Sequence, residues 1–206
     1  MFPALLIVGI ICVMAGAYAV TVYNQLVRLR ENARTGFSQI DVQLERRHDL
    51  IPNLVATAKG FMSHEAETLE AVIAARASAT QVRVEVNGEP SNLDAMRKLA
   101  SSESTLGGAL GRLLATAEAY PDLKADRQMS ALMEELTSTE NKISFSRQSY
   151  NEHVKAYQKY KKTFPPVIFA SLFGFADDAY LDLEVDGKAD KRGHVEVDFG
   201  SHDAAA

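Results

Sequence analysis

The chain has 206 residues, with 22 Lys and Arg against 27 Asp and Glu, for a formal net charge of −5. This length supports one domain with its own core, and the lack of a basic excess excludes a nucleic-acid binder, which needs a cationic face. The single cysteine, Cys12, excludes an intrachain disulfide and a cysteine-built metal site.

The first element in chain order is apolar. No charged side chain occurs in the first 27 residues, and ALLIVGIICVMAGAYAVTVY (4–23) is long enough to cross a bilayer as a helix. A helix is favoured there because hydrocarbon offers no partner to an open backbone amide. Tyr18 and Tyr23 suit a membrane interface, and Arg28, Arg30 and Arg34 follow the span with no side-chain cation before it. The expectation is a transmembrane anchor over 1–23 with Arg28 and Arg30 at the interface. The positive-inside rule then predicts a single-pass protein of the cell (inner) membrane, N-terminus outside and residues 28–206 cytoplasmic. The competing reading is a signal peptide cleaved near Ala19, since Ala17-Tyr18-Ala19 has small-x-small form, but MFP offers no cationic n-region.

A helical domain is expected over 24–165. Heptad positions 23, 26, 30, 33, 37, 40, 44, 47, 51, 54, 58 and 61 are apolar or aromatic at ten of twelve places, the exceptions being Arg30 and Arg47. Pro52 interrupts this stripe, and the register running through it predicts a kink or a tight break. Ser63 is the expected N-cap of the next helix, with Glu65 and Glu67 in its first turn. Asn87-Gly88-Glu89-Pro90-Ser91 reads as a loop, and Ser91 with Asp94 as an acidic capping box. The helix after it carries Gly107, Gly108 and Gly111, which either weaken it or admit a close neighbour.

Tyr120-Pro121 ends that helix and Asp122 is expected to cap the last long one. Its positions 129, 132, 136, 139, 143, 146, 150, 153, 157, 160 and 164 are apolar or aromatic at eight of eleven places, a stripe matching the first in length. Two long coiled-coil-like stripes joined by short connections predict an all-α fold, an antiparallel bundle of long helices after the anchor. Pro165-Pro166 is expected to end the long helix, leaving a short apolar segment over 166–176, one helical turn or two, that packs on the bundle or the membrane. Residues 177–206 hold nine Asp or Glu and three Lys or Arg, an acidic tail that is partly disordered or forms a weak hairpin through YLDLEV and HVEVDF.

The stretches YNQLVRLRENARTGFSQIDVQLERRHDLIPNLVATAKGFMSHEAETLEAVIAAR (23–76), YPDLKA (120–125), TENKISFSRQSYNEHV (139–154) and FP (164–165), with the closing VEVDF, resemble the LemA family. The resemblance covers roughly residues 1–180. It implies one N-terminal transmembrane helix, an α-helical bundle and no settled activity. It also implies membrane-associated roles, including a neighbourhood with HtpX-like membrane metalloproteases and a distant branch serving magnetosome membranes. Phe37, where that family often has Trp, His48 in place of Tyr, Glu45 in place of Lys and Pro166 in place of a polar residue depart from the pattern. They argue against a catalytic constellation near 45–49.

The polar residues allow two readings. His64-Glu65 begins an H-E-x-x-H zinc motif, but Thr68 stands where the second ligand belongs. His48 and His64 are sixteen residues apart, about 24 Å along one helix. The structural reading pairs Arg47, on the apolar stripe, with an acid such as Glu140 across helices, which fixes register between two long stripes. The binding reading joins Arg46, Arg47, Asp49, His64, Glu65, Glu140 and Arg147 in a polar cluster for an anionic headgroup or peptide. Lys159, Lys161 and Lys162 could touch anionic lipid where their helix ends.

The resulting expectation is a membrane-anchored, non-catalytic interaction or scaffold protein without a cofactor. Its partners are the lipid bilayer and an unidentified membrane or cytoplasmic protein, with an HtpX-like protease implied by the resemblance; homo-oligomerisation is open. The alternatives are a membrane-associated hydrolase or headgroup-binding protein using Arg46, Arg47, His64 and Glu65, and an exported soluble bundle.

Overall fold

The computed structural model describes residues 2–86, 88, 90–177 and 180–181. They form α1 (Phe2–Phe61), α2 (Ala66–Val86), α3 (Leu93–Ala117), α4 (Pro121–Ala125), α5 (Arg127–Lys162) and α6 (Pro166–Leu172), with no strand among the described residues. The expected tail hairpin lies almost wholly outside them.

The apolar segment and the first bundle helix are one element. α1 is an unbroken helix of 60 residues, about 90 Å at 1.5 Å per residue. Its start is exposed: Ile7, Ile11, Val13 and Val20 all lie on the surface. From Val22 onward one face is buried, through Leu26, Ala33, Phe37, Ile40, Leu44, Ile51, Leu54 and Ala58 to Met62. This is the predicted stripe, covered by other helices as an apolar face requires.

Pro52 neither breaks the helix nor leaves its backbone unsatisfied. A proline has no N–H to give the carbonyl four residues earlier, here that of His48. Arg76 of α2 supplies the missing donor, its Nε lying 2.6 Å from the His48 carbonyl oxygen.

Cross-helix pairs give the topology. Along α1 the partners on α5 run backwards: Arg46 meets Glu135, Phe37 meets Tyr150, and Leu26 shares a cluster with Tyr157. The partners on α2 run backwards as well, from Arg76 at His48 to Arg83 at Asp41. α3 returns parallel to α1. The domain is therefore an up-down-up-down bundle of α1, α2, α3 and α5. α1 packs most extensively on α5, and α2 on α3. Where α1 packs on α5, Gly36 leaves little room for a side chain: a Cβ there would lie 3.3 Å from the Tyr150 Cα, a tight contact.

Three local expectations shift, at the starts of α2, α3 and α5, and the short helix expected after Pro165-Pro166 is present. Ser63 does not cap α2; Met62 is buried at the end of α1, and the Glu65 amide bonds back to the Met62 carbonyl, so the turn occupies 62–65. α2 begins when Leu69 N–H bonds the Glu65 carbonyl at 3.2 Å. Asn92, not Ser91, caps α3, its side chain accepting from Ala95 N–H at 3.1 Å. Asp122 lies inside α4, and Asp126 caps α5 by accepting from Met129 N–H at 2.8 Å. Pro165-Pro166 ends α5 but starts a further helix, with Pro166 in the first turn of α6, where a missing N–H costs nothing. The three glycines of α3 admit no neighbour: a Cβ on Gly107, Gly108 or Gly111 would meet nothing within 4 Å.

Candidate functional site

The polar groups of the bundle meet halfway along it, where α1, α2, α3 and α5 all contribute. Arg47 leaves the buried face of α1 and sits between two acids, donating through one terminal nitrogen to Glu103 of α3 and through the other to Glu140 of α5 at 2.5 Å. Its side chain is 3% exposed and that of Glu103 0%, against 56% for Glu140. His48, also buried, lies 3.0 Å through Nε2 from the second Glu103 oxygen and 3.2 Å through Nδ1 from the Thr80 hydroxyl. A proton on Nε2 donates to Glu103 and leaves Nδ1 to accept from Thr80.

Burial pushes the Glu103 carboxyl up, but the hydrogen bond with His48 and the charge of Arg47 outweigh it and hold the group below the ordinary carboxylate range. Glu103 is therefore an anion locked between two donors. The cluster is closed on itself, since its buried carboxylate is bonded at both oxygens. Among the described residues four buried guanidinium Nε atoms have no hydrogen-bond partner, and two of them, those of Arg47 and Arg147, lie here.

The predicted polar residues divide into groups. Arg47, Glu140 and Arg147 line one groove of about 520 Å³, between α3 and α5, with Glu103, Gly107 and Gly111. The Arg47–Glu140 pair is the one anticipated from the stripe. Arg46 points elsewhere and pairs with Glu135 at 2.6 Å, both on the surface. Asp49 is exposed. His64 and Glu65 sit in the turn after α1, seventeen and eighteen residues beyond Arg47. There Glu65 accepts from the Tyr120 hydroxyl at 3.1 Å, and His64 is exposed. At the other end, Tyr18, Tyr23 and Arg28 are exposed and Arg30 is half-buried. Among the described residues no three His, Cys, Asp or Glu side chains stand together as a metal set.

Sequence reasoning missed Glu103, His48 and Arg76. A signal for Glu103 existed: Met96, Leu99, Leu106, Leu110, Leu113 and Ala117 follow strict heptad spacing, and the vacant position in that series is 103.

A second groove, of about 690 Å³, runs between α1 and α5 on another face. Val42 and Phe145 project there, 58% and 74% exposed, among Ser38, Gln39, Asn141 and Lys142.

The family model described as "LemA family" matches residues 36–199, most of the chain. The chain belongs to the LemA family. Its LemA match begins inside α1, after the apolar segment, and takes in every residue of the buried network. The chain is similar to Magnetosome protein MamQ 2 and Magnetosome protein MamQ 1 of Paramagnetospirillum magneticum, at 26% identity over 194 residues, 86% of this chain and 71% of each of theirs. It is similar to Magnetosome protein MamQ of Magnetospirillum gryphiswaldense at 27% over 174 residues, 77% of this chain and 64% of that one. This LemA protein thus combines the family bundle with an N-terminal helical segment long and apolar enough to cross a membrane.

Proposed function

We propose that this protein is a single-pass membrane scaffold whose bundle is held rigidly on its anchor and binds another protein through the α1–α5 face. The carrying observation is the continuity of α1: the exposed apolar segment and the central bundle helix are one helix, so no flexible linker separates them. The cations that follow the segment favour a cytoplasmic bundle. The groove bearing Val42 and Phe145 has the form in which an apolar helix face docks. An HtpX-like membrane protease, implied by the family resemblance, and a second copy of the chain are the partners to test first. The magnetosome names of the relatives are consistent with work at a membrane.

A structural, non-catalytic role is favoured because both oxygens of the buried Glu103 carboxylate are taken up by Arg47 and His48. The hydrolase alternative has less support, since His64 stands at the α1–α2 turn, away from Arg46 and Arg47. The exported alternative would remove Tyr18, which packs on Phe169.

The test has two parts. The chain is expected in carbonate-washed membranes at its full mass, with a C-terminal reporter protected from protease in spheroplasts. Recovery of a soluble chain starting after Ala19 would overturn the anchor. The Phe145→Glu and Val42→Glu proteins are expected to keep their helicity and to lose co-purification with the membrane protease; undiminished co-purification would remove that face from the proposal.

A further inference from the structure

α6 lies at the level where α1 leaves its apolar segment. Ala170 shares a buried cluster with Val22, Leu26 and Tyr157. Phe169 meets Tyr18 edge-on with ring centres 6.0 Å apart, and Phe173 and Phe175 meet Tyr23 at 5.3 and 5.7 Å. The face of α6 turned toward α1 therefore packs on the end of the 4–23 stretch.

Its other face is also apolar. A surface helix of a water-soluble bundle carries charge on the side away from its core. Residues 164–176, FPPVIFASLFGFA, contain no charged side chain. Outward from α1 stand Phe164 and Leu172, each 74% exposed, with Ile168 at 57% and Val167 at 40%. Cations flank this patch. Lys159 and Lys162 are exposed in the last turn of α5, and Arg28 is exposed on α1 one turn past the apolar segment. Lys161 is held by Asp177 at 2.5 Å.

We infer that α6 is a second membrane contact, an interfacial helix whose Phe164, Val167, Ile168 and Leu172 enter the acyl boundary of the leaflet that α1 exits, with Lys159, Lys162 and Arg28 at the anionic headgroups. The occupant is the bilayer because the patch is continuous, through Tyr18 and Tyr23, with the surface of the spanning segment, and its rim is cationic as a headgroup layer favours. A lone spanning helix is free to tilt and to rotate about its axis. An interfacial helix fixed to its side restricts both and sets the direction in which the bundle leans. This inference rests on the anchored reading of α1.

The chain contains no tryptophan, so a single introduced indole reports its own surroundings. The full-length protein is reconstituted into phosphatidylcholine–phosphatidylglycerol vesicles as four variants: Leu172→Trp, Ile168→Trp, Val20→Trp and Phe145→Trp. All four positions are exposed, so each ring is accommodated without repacking, and far-UV circular dichroism checks the fold. The expected result is that Leu172→Trp and Ile168→Trp lose emission to brominated acyl chains as Val20→Trp does and are shielded from aqueous iodide, with Phe145→Trp behaving oppositely. Iodide quenching at positions 168 and 172, with brominated-lipid quenching kept at position 20, would overturn the interfacial helix and leave the anchor standing. Shielding of 168 and 172 from both quenchers would mean a protein covers α6 and would also overturn it. Failure of brominated lipid to reach position 20 would overturn the anchor and this inference together.

Discussion

Glu103→Ala is expected to destabilise the bundle by about 3–5 kcal/mol, the cost of removing one partner of a fully buried ion pair. The side chain is 0% exposed and bonded to both Arg47 and His48, so its loss leaves a buried guanidinium with only Glu140 and an imidazole with only Thr80. Glu140→Gln is expected to cost less than about 1 kcal/mol, because that carboxylate is 56% exposed and water replaces it. Denaturant unfolding of the detergent-solubilised protein, followed by far-UV circular dichroism, measures both; equal costs would show that the two acids are equivalent.

The same carboxylate gives a pH dependence of definite sign. The folded Glu103 carboxyl lies below its ordinary range, so the unfolded chain takes up the proton first as pH falls. The contribution is complete above the unfolded value of about pH 4 and is lost as pH falls through the lower, folded value. Glu103→Gln should therefore remain separated from the parent protein by a constant amount at neutral and mildly acidic pH, with the gap closing in stronger acid. A gap that widens as pH falls into strong acid would contradict this assignment. None of this makes the network optimal: an apolar trio of matching volume could be as stable. One Arg47 guanidinium bonds Glu103 of α3 and Glu140 of α5 at once, which ties α1 to both helices.

Arg76→Met is expected to cost about 1–3 kcal/mol, the penalty for an orphaned buried acceptor, because it removes the donor that serves the His48 carbonyl beside Pro52. The sharper expectation concerns the pair. Pro52→Ala restores a backbone N–H and removes the interior-proline penalty of about 3 kcal/mol, so it should stabilise the bundle. In that background Arg76→Met should lose most of its effect. A double-mutant cycle reads this directly. Additive effects would show that Arg76 acts only through its packing on α1.

The long elements of this fold were readable from residue order because they depend on local chemistry. An uncharged stretch of bilayer length, two heptad stripes of similar extent and the loop-like composition over 87–91 pointed to the apolar start of α1, to α1 and α5 themselves and to the break between α2 and α3. Even the Arg47–Glu140 pair could be anticipated, since a charge on an apolar stripe must find an acid opposite. The positions that sequence reasoning misplaced are those where several donors of similar quality compete over a few residues. Ser91 and Asn92 both suit an N-cap, as do Asp122 and Asp126, and only the packing of the following helix selects between them.

Tertiary structure alone decided the rest. Pro52 is compatible with a kink or a break, and α1 runs through it because a guanidinium 24 residues later supplies the missing donor. Glu103 stood in plain heptad register on α3, but its partners lie 55 and 56 residues away, so no local pattern could pair it. Arg46 and Arg47 are neighbours in sequence yet point about 100° apart around a helix, which sends one to the surface and the other into the core. His64 was grouped with both arginines in one polar cluster; α1 carries it past the network to the far turn. The residue order determined which faces must be covered, because burial of apolar surface is a property of each segment. Which polar group meets which was decided by the fold, because those meetings join helices whose separation along the chain carries no periodic signal.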